Sequence, residues 1–384
     1  MSLRPTTILL MTHEFPPYPG GVGRYCWSLA AAASRAGFQV TVLAPDHSSL
    51  GAHEHSDPPG VEVIRFAGGV FRFADFSRLK RIVRSTLSGR AWDVIHLADW
   101  PMILALKSVK VTAARLVASL HGTDILLLRH SLRARLSGGL RPLKSFDRIL
   151  CNSRFTASLL EGARSLGERC VEVAPLGVDA GWFDPPAAAD VAAFRNRILA
   201  QPDDCIVLTV ARLDDRKGHL STIRALSLLD AEARARIRYV CVGAVVDESY
   251  REELVVAARA GGVRLVITGR IPDSKVRAAY ATADVFALTA RSSPRKVEGF
   301  GLVLLEAAAQ GLPAVVTAVN AIPEVVVHGR TGWICDQDNV HALAHTLRLA
   351  IQSCREPALR ANCVARARDY TWDRCAELTY VTER

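Results

Sequence analysis

Short apolar runs recur along this 384-residue chain, and a stretch long enough for a helix follows most of them. In the first half they fall at residues 6–12, 39–44, 92–96, 116–120 and 147–152. In the second they fall at 206–210, 238–242, 263–268, 285–289 and 314–317. Strands separated by helices are joined by crossovers, and crossovers make parallel sheets covered on both faces. This alternation constrains the fold more than any other feature. It implies an α/β protein, and the length implies more than one domain. Pro185-Pro186 and the alanine-rich segment after them mark a linker, which places a boundary near Phe183.

The segment at 298–313, Glu-Gly-Phe-Gly-Leu-Val-Leu-Leu-Glu-Ala-Ala-Ala-Gln-Gly-Leu-Pro, carries the clearest chemistry. Glu298 sits in a glycine-flanked turn. An apolar helix follows with Glu306 in its second turn, Gly311 placed to cap its end and Pro313 preventing continuation. The helix start offers free N–H groups and a positive dipole end, suited to a phosphate. A carboxylate on an apolar helix is costly to bury without donors, and the vicinal hydroxyls of a ribose would supply two. The plainer alternative is a surface helix with ordinary glutamates.

Other loops after strands add to this. Arg212 and Lys217 follow the run at 206–210 and suit clamping a diphosphate, although Asp214 and Asp215 could instead pair with them. His121-Gly122 ends the run at 116–120, at the strand end where α/β ligands bind. The Pro- and Gly-rich loop at 14–24 holds Gly21 and Gly23, a poor dinucleotide fingerprint but a loop able to approach a phosphate closely. Asp336-Gln337-Asp338 has the spacing of a metal-holding pair but precedes a helix, so Asp338 or Asn339 reads better as its cap.

Taken in order, these motifs resemble the family-four retaining glycosyltransferases over nearly the whole chain. The two most specific are the Arg212/Lys217 loop and the glutamates Glu298 and Glu306. The resemblance implies two Rossmann-like domains in the GT-B arrangement with a cleft between them. Residues 1–183 would bind acceptor, 184–368 would bind nucleotide sugar, and a last helix at about 369–384 would cross back to the first domain. It implies that Glu306 holds ribose. Arg212, Lys217 and backbone near Gly21, Phe300, Gly301 and Leu302 would hold the diphosphate, and the turn at Arg270 and Ile271 would line the base. Glu298 and His121 would position the sugar. The implied reaction moves a sugar from a UDP- or GDP-sugar to an acceptor hydroxyl with retention, without metal or other cofactor. Departures from the family's pattern are Ala211 for the usual glycine, Leu176 for the usual asparagine and Asp124 for the frequent glutamate, whose role stays open.

Charge points to the acceptor. Residues 1–183 carry an excess of eight positive charges against two in the remainder, concentrated at 71–90 and 129–144. Such stretches suit an anionic membrane surface, or are solvated helix faces over an ordinary core. The expected acceptor is therefore a lipid-linked saccharide or lipid, in cell-envelope polysaccharide or glycolipid synthesis. Nucleic acid is disfavoured, because no recognition motif accompanies the charge. No apolar run reaches the ~18 residues of a membrane span. His13 and Glu14 cut short the first apolar run, and the nine cysteines are scattered. Together these imply a cytoplasmic protein with reduced thiols, and the basic stretches a peripheral place on the inner membrane face. Two other classes share the pattern: an epimerase or phosphorylase of similar architecture, and a nucleotide-sugar binder without turnover. Product analysis with and without acceptor separates them.

Overall fold

The computed structural model describes residues 5–18, 20–47, 57–69, 71–107, 109, 111, 115–163, 166, 171–294 and 296–381. Pro19 of the glycine-rich loop, Arg295 of the basic loop before Glu298 and the end of the expected returning segment, 382–384, lie outside them. The chain divides into two compact units, Met1–Gly177 with Trp372–Arg384, and Val178–Thr371.

In the first unit the strands are β1 (Thr7–Met11), β2 (Gln39–Pro45), β3 (Glu62–Phe66), β4 (Val94–Leu97), β5 (Arg115–Leu120), β6 (Arg148–Cys151) and β7 (Val171–Val173). They form one parallel sheet in the order β3-β2-β1-β4-β5-β6-β7. Its helices are α1 (Gly21–Arg35), α2 (Phe76–Gly89), α3 (Trp100–Leu106), α4 (Thr123–His130), α5 (Leu132–Leu136) and α6 (Arg154–Ser158). The second unit holds α7 (Ala188–Arg197), β8 (Cys205–Val210), α8 (His219–Ser227), α9 (Ala231–Arg236), β9 (Ile237–Val242), α10 (Glu248–Ala260), β10 (Arg264–Gly269), α11 (Asp273–Thr282), β11 (Val285–Leu288), α12 (Leu302–Ala309), β12 (Ala314–Thr317), α13 (Ile322–Val325), β13 (Gly332–Cys335), α14 (Val340–Ser353) and α15 (Pro357–Arg368). Its parallel sheet runs β10-β9-β8-β11-β12-β13. The final helix, α16 (Trp372–Tyr380), belongs to the first unit and packs on α1.

The central strands are buried from end to end, β1 and β4 throughout, as sheets covered on both faces require. Aspartates before strands fix register between neighbours. Asp93 accepts the N–H of Thr7 at 2.8 Å, Asp147 that of Leu116 at 2.7 Å and Asp284 that of Ile206 at 2.9 Å. Each satisfies a strand-opening donor from the adjacent strand. Ser153 caps α6, accepting from the N–H of Thr156 at 3.0 Å.

The units change over at 177/178 and 371/372, where the expected positions are near 183 and about 369. The reason is local. The Val178 N–H donates to the Tyr370 carbonyl at 3.0 Å, Trp182 lies edge-on to Tyr280 at 5.4 Å, and Gln310 donates to the Trp182 carbonyl. Residues 178–183 thus pack with the second unit. At the far end α16 is held by cations on its C-terminal carbonyls. Arg148 donates to Leu378 and Thr379 at 2.8 Å each, Arg115 donates to Tyr380 at 2.6 Å, and Arg148 is itself paired with Glu172. Such contacts satisfy the carbonyls a helix end leaves open and meet its negative dipole end.

The two basic stretches are built differently. In the first, Leu79 and Val83 of α2 are buried, and Phe71, Phe73, Phe76, Ile82 and Leu87 pack against the core. The apolar side is therefore spent inside, and Arg72, Arg78, Arg81, Arg84 and Arg90 face out among small residues. In the second, Leu127, Leu132 and Leu136 are exposed among Arg129, Arg133 and Arg135. Among the described residues no helix is long and apolar enough to cross a membrane.

Arg148→Ala should lower the unfolding free energy by about 2 kcal/mol, the scale of lost charged hydrogen bonds. It should also raise hydrogen exchange in α16 first. Unchanged protection of Leu378–Tyr380 would show that packing on α1 alone holds this helix.

Candidate functional site

In the second sheet β8, β9 and β10 proceed to one side and β11, β12 and β13 to the other, so the winding reverses between β8 and β11. Ligands of open α/β sheets bind outside the carboxyl ends of strands at such a reversal. The loop after β8 carries Arg212 and Lys217, and the loop after β11 carries Glu298. Gly218 joins them. Its φ is +78°, and a Cβ there would stand 1.8 Å from the Thr289 carbonyl oxygen. Only glycine lets the two loops touch. Hydrogen bonds then lock them: the Thr289 hydroxyl donates to the Gly218 carbonyl at 2.7 Å and the Arg291 N–H to the Arg216 carbonyl at 2.8 Å.

The product of this lock is a 2.6 Å ion pair between Lys217 Nζ and Glu298 Oε2, with both side chains about one-sixth exposed (16% and 17%). The alternative partners of the loop are excluded by geometry. Asp214 pairs with Arg216 at 3.3 Å and caps the 3-10 turn at 215–217, not Lys217 or Arg212. Arg212 is exposed and forms no ion pair among the described residues, so the structure joins Lys217 to Glu298 but leaves Arg212 apart. The Glu298 loop is pinned from its other side. Asn320, with φ +52°, accepts the Glu298 N–H at 3.0 Å.

The helix that follows starts at Gly301, φ +92°, with no side-chain cap. The first-turn amides of α12 are thus left without a capping side chain, and Leu302 is half-buried in that turn. Phe300 is buried against the Tyr370 ring at 5.8 Å. Glu306, 4% exposed, accepts a hydrogen bond from the Tyr280 hydroxyl at 2.9 Å. Gly311, at φ +68°, follows the end of α12 as its spacing required. At the end of β10, Gly269 turns with φ +69°; beyond it Arg270 is exposed and Ile271 buried. Asn339 is the cap of α14, accepting from Ala342 at 2.9 Å, while Asp338 pairs with Arg291. No group of three potential metal ligands occurs among the described residues.

The first sheet reverses between β1 and β4. Beyond β1 the chain enters the glycine-rich loop. A Cβ on Gly20 would meet Glu14 Oε2 at 2.4 Å and one on Gly23 the Phe15 backbone at 3.2 Å, whereas Gly21 opens α1 with nothing within 4 Å. His13 pairs with Asp99 at 2.9 Å, and Asp99 also accepts from the His13 N–H at 2.6 Å and the Thr12 hydroxyl at 2.7 Å. Burial opposes a charge on His13, but Asp99 outweighs it and raises the imidazole's pKa; burial likewise disfavours the Asp99 anion, and His13 holds its pKa low. Sequence reasoning missed this pair. His13 looked like a mere end to an apolar run, and Asp99 is recognisable only as the cap of α3.

His121 follows β5. Its Nε2 lies 3.0 Å from the Ala98 carbonyl, so the proton sits on Nε2 and Nδ1 is left as an acceptor. Burial lowers its pKa, with Asp124 pulling the other way. Asp124, left open by the sequence, is a positioning residue. Its carboxylate takes the His121 N–H at 2.9–3.0 Å and the Ile125 N–H at 2.9 Å, holding the turn at Gly122, φ +103°. Tyr25 lies edge-on to the His121 ring at 4.7 Å. Its hydroxyl meets Ser119 at 2.8 Å, Ser119 meets His96 at 2.8 Å, and His96 meets the Tyr380 hydroxyl of α16 at 2.8 Å.

Comparison with known proteins bears on the family and the fold of the chain. A family profile described as "Glycosyltransferase Family 4" matches residues 19–182, and one described as "Glycosyl transferases group 1" matches residues 190–370. The chain is similar to the GDP-mannose-dependent alpha-(1-6)-phosphatidylinositol monomannoside mannosyltransferase of Mycolicibacterium smegmatis, at 31% identity over 88% of this chain and 87% of that one. It is also similar to the D-inositol 3-phosphate glycosyltransferase of Actinosynnema mirum, at 29% identity over 93% and 90%. In fold it resembles the sucrose-phosphate synthase of Thermosynechococcus elongatus, with a TM-score of 0.77, 22% identity and 97% and 96% coverage.

Two further imidazoles set the acid limb of stability. Burial brings the pKa of His96 down to about 3 and that of His219, behind the Lys217 loop, to about 4. Both therefore stay neutral in the folded protein where an unfolded histidine, near 6.5, takes a proton. The unfolded state binds more protons below that pH, so stability is full above 6.5 and falls as pH drops. Between pH 6.5 and 5 the loss is about 2 kcal/mol per imidazole. His219→Met should flatten this limb in urea titrations; an unchanged slope would show that other groups govern it.

Proposed function

The chain belongs to the family-four glycosyltransferases of GT-B fold, and on that premise we propose that it transfers a hexose, with retention, from a nucleoside diphosphate sugar to an inositol-phosphate head group carried on lipid. The observation that carries the donor half is the Lys217–Glu298 pair at the reversal of the second sheet. A cation partly shielded from water and held by one carboxylate can turn to an entering diphosphate and take up charge as the sugar–phosphate bond breaks. Glu298 is then freed to accept from a sugar hydroxyl. The exposed Arg212 supplies a second cation, and the uncapped first turn of α12 supplies amides. Glu306 receives the ribose hydroxyls, and the turn at Arg270 and Ile271 lines the base. In the first unit His121 offers Nδ1 to a hydroxyl. The electron pair of the broken bond goes to the leaving phosphate oxygen, which accepts the acceptor's proton.

Of the two donor bases expected, GDP is favoured, because the relative at 31% identity is named for GDP-mannose. Names of two relatives share inositol and phosphate, which supports that acceptor class. The lipid setting is supported by α4 and α5. Leu132 and Leu136, at 68% and 78% exposure, are one helical turn apart on one face beside Arg133 and Arg135. This favours the second basic stretch over the first for peripheral contact with an anionic membrane.

The reaction is tested by incubating the protein with GDP-mannose or UDP-glucose and phosphatidylinositol, with product analysis by mass spectrometry. Lys217→Ala should lower turnover by about a hundredfold, the scale for removing one preorganised charge-stabilising group. Near wild-type turnover would refute the clamp, and transfer from neither donor would refute this reading. For the membrane, the protein should sediment with vesicles containing phosphatidylglycerol and release with salt. The double variant Leu132→Ser/Leu136→Ser should bind about tenfold or more weakly. Equal sedimentation of wild type and variant would remove the α5 face as the contact.

A further inference from the structure

We infer that Tyr280 is a positioning residue for the Glu306 carboxylate, and that its hydroxyl sets how strongly the second unit distinguishes a ribonucleotide from a 2′-deoxyribonucleotide. This rests on the reading that Glu306 receives ribose hydroxyls.

Tyr280, on α11, is wholly buried. Its ring is held edge-on by Trp182 at 5.4 Å and tilted against Phe286 at 5.6 Å, so the phenol has one direction in which to point. Trp182 is itself tied to the end of α12, because Gln310 donates to its carbonyl. Along that direction lie Glu306 Oε2 at 2.9 Å and the Val303 carbonyl at 3.4 Å, both on α12. A phenylalanine would pack in the same ring slot. The hydroxyl, taken from water into this interior, is compensated by the acceptors it meets, and the closer of these two is the carboxylate.

A carboxylate has two oxygens and several acceptor directions. A hydrogen bond from a rigid phenol to Oε2 restricts the orientation of the group and therefore the directions left for other donors. Two vicinal hydroxyls demand a fixed plane, because both must find oxygens at once. One hydroxyl alone demands much less. Losing the phenol should therefore weaken binding of the ribose form more than that of the deoxyribose form, whereas damage to packing would weaken both alike.

The test is isothermal titration of GDP, 2′-deoxy-GDP, UDP and 2′-deoxy-UDP into wild type, Tyr280→Phe, Glu306→Asp and Glu306→Ala. For the base it binds, wild type should favour the ribose form by about tenfold, the scale of a hydrogen bond to a charged group. Tyr280→Phe should cut that preference to about two- to threefold with a melting temperature close to wild type. Glu306→Asp, which draws the carboxylate away from the phenol and keeps its charge, should do the same, and Glu306→Ala should abolish the preference. A wild-type preference retained in both Tyr280→Phe and Glu306→Asp, or equal loss of both sugar forms in them, would overturn the positioning role while leaving the ribose reading intact if Glu306→Ala abolishes it. A wild type without preference, a Glu306→Ala protein that keeps it, or no binding of any of the four nucleotides would defeat the ribose reading and this inference with it.

Discussion

The chemistry of the second unit depends on a place where two backbones touch. Gly218 lies against the Thr289 carbonyl with no room for a side chain, and hydrogen bonds hold the contact. That contact sets the distance between the loop after β8 and the loop after β11, and the distance brings Lys217 to Glu298. The same logic recurs one strand away, where a Cβ on Gly243 would stand 1.9 Å from the Ala211 carbonyl oxygen. Charged side chains that exchange one partner for another, as proposed for this pair, need a backbone that does not move with them. Close backbone contact through glycine supplies that rigidity without using the side chains themselves.

The two units handle charge in opposite ways. In the second, the Lys217–Glu298 pair keeps some access to water, so each member can change partner at modest desolvation cost. In the first, His96 is buried as a neutral ring between two hydroxyls, the Ala98 carbonyl orients the His121 ring, and His13 keeps a raised pKa chiefly because Asp99 faces it. Neutral, oriented imidazoles recognise hydroxyls; paired ions recognise phosphates. Under the proposed reaction, this division would suit an acceptor rich in hydroxyls and a donor built on a diphosphate.

Much of this was legible in the sequence, for identifiable reasons. Apolar runs alternating with helical stretches give the parallel sheets, and the spacing of Glu298, Glu306, Gly311 and Pro313 gives a turn, a helix and its end. What could not be read has two sources. The strands β3, β7 and β13 lie at sheet edges and are only partly covered, so they lack the buried run that marks a central strand. Partnerships across the fold leave no local trace. Nothing in the spacing of residues 211–218 says that Lys217 meets Glu298 and Asp214 meets Arg216, nor that Tyr280 reaches Glu306. The basic stretches show the same limit. Their compositions are alike, but α2 turns its apolar side into the core and α5 does not.

The first unit is discontinuous: α16 returns to it after the whole second unit has intervened. On the ribosome, residues 178–371 emerge between the two parts, a delay of about 10–40 s at about 5–20 residues per second. Throughout that interval Arg115 and Arg148 lack the carbonyls they bind, and the His96 side chain lacks the Tyr380 hydroxyl. The nascent first unit must therefore wait as a sheet with an unfinished face, and its completion is timed by translation of the second.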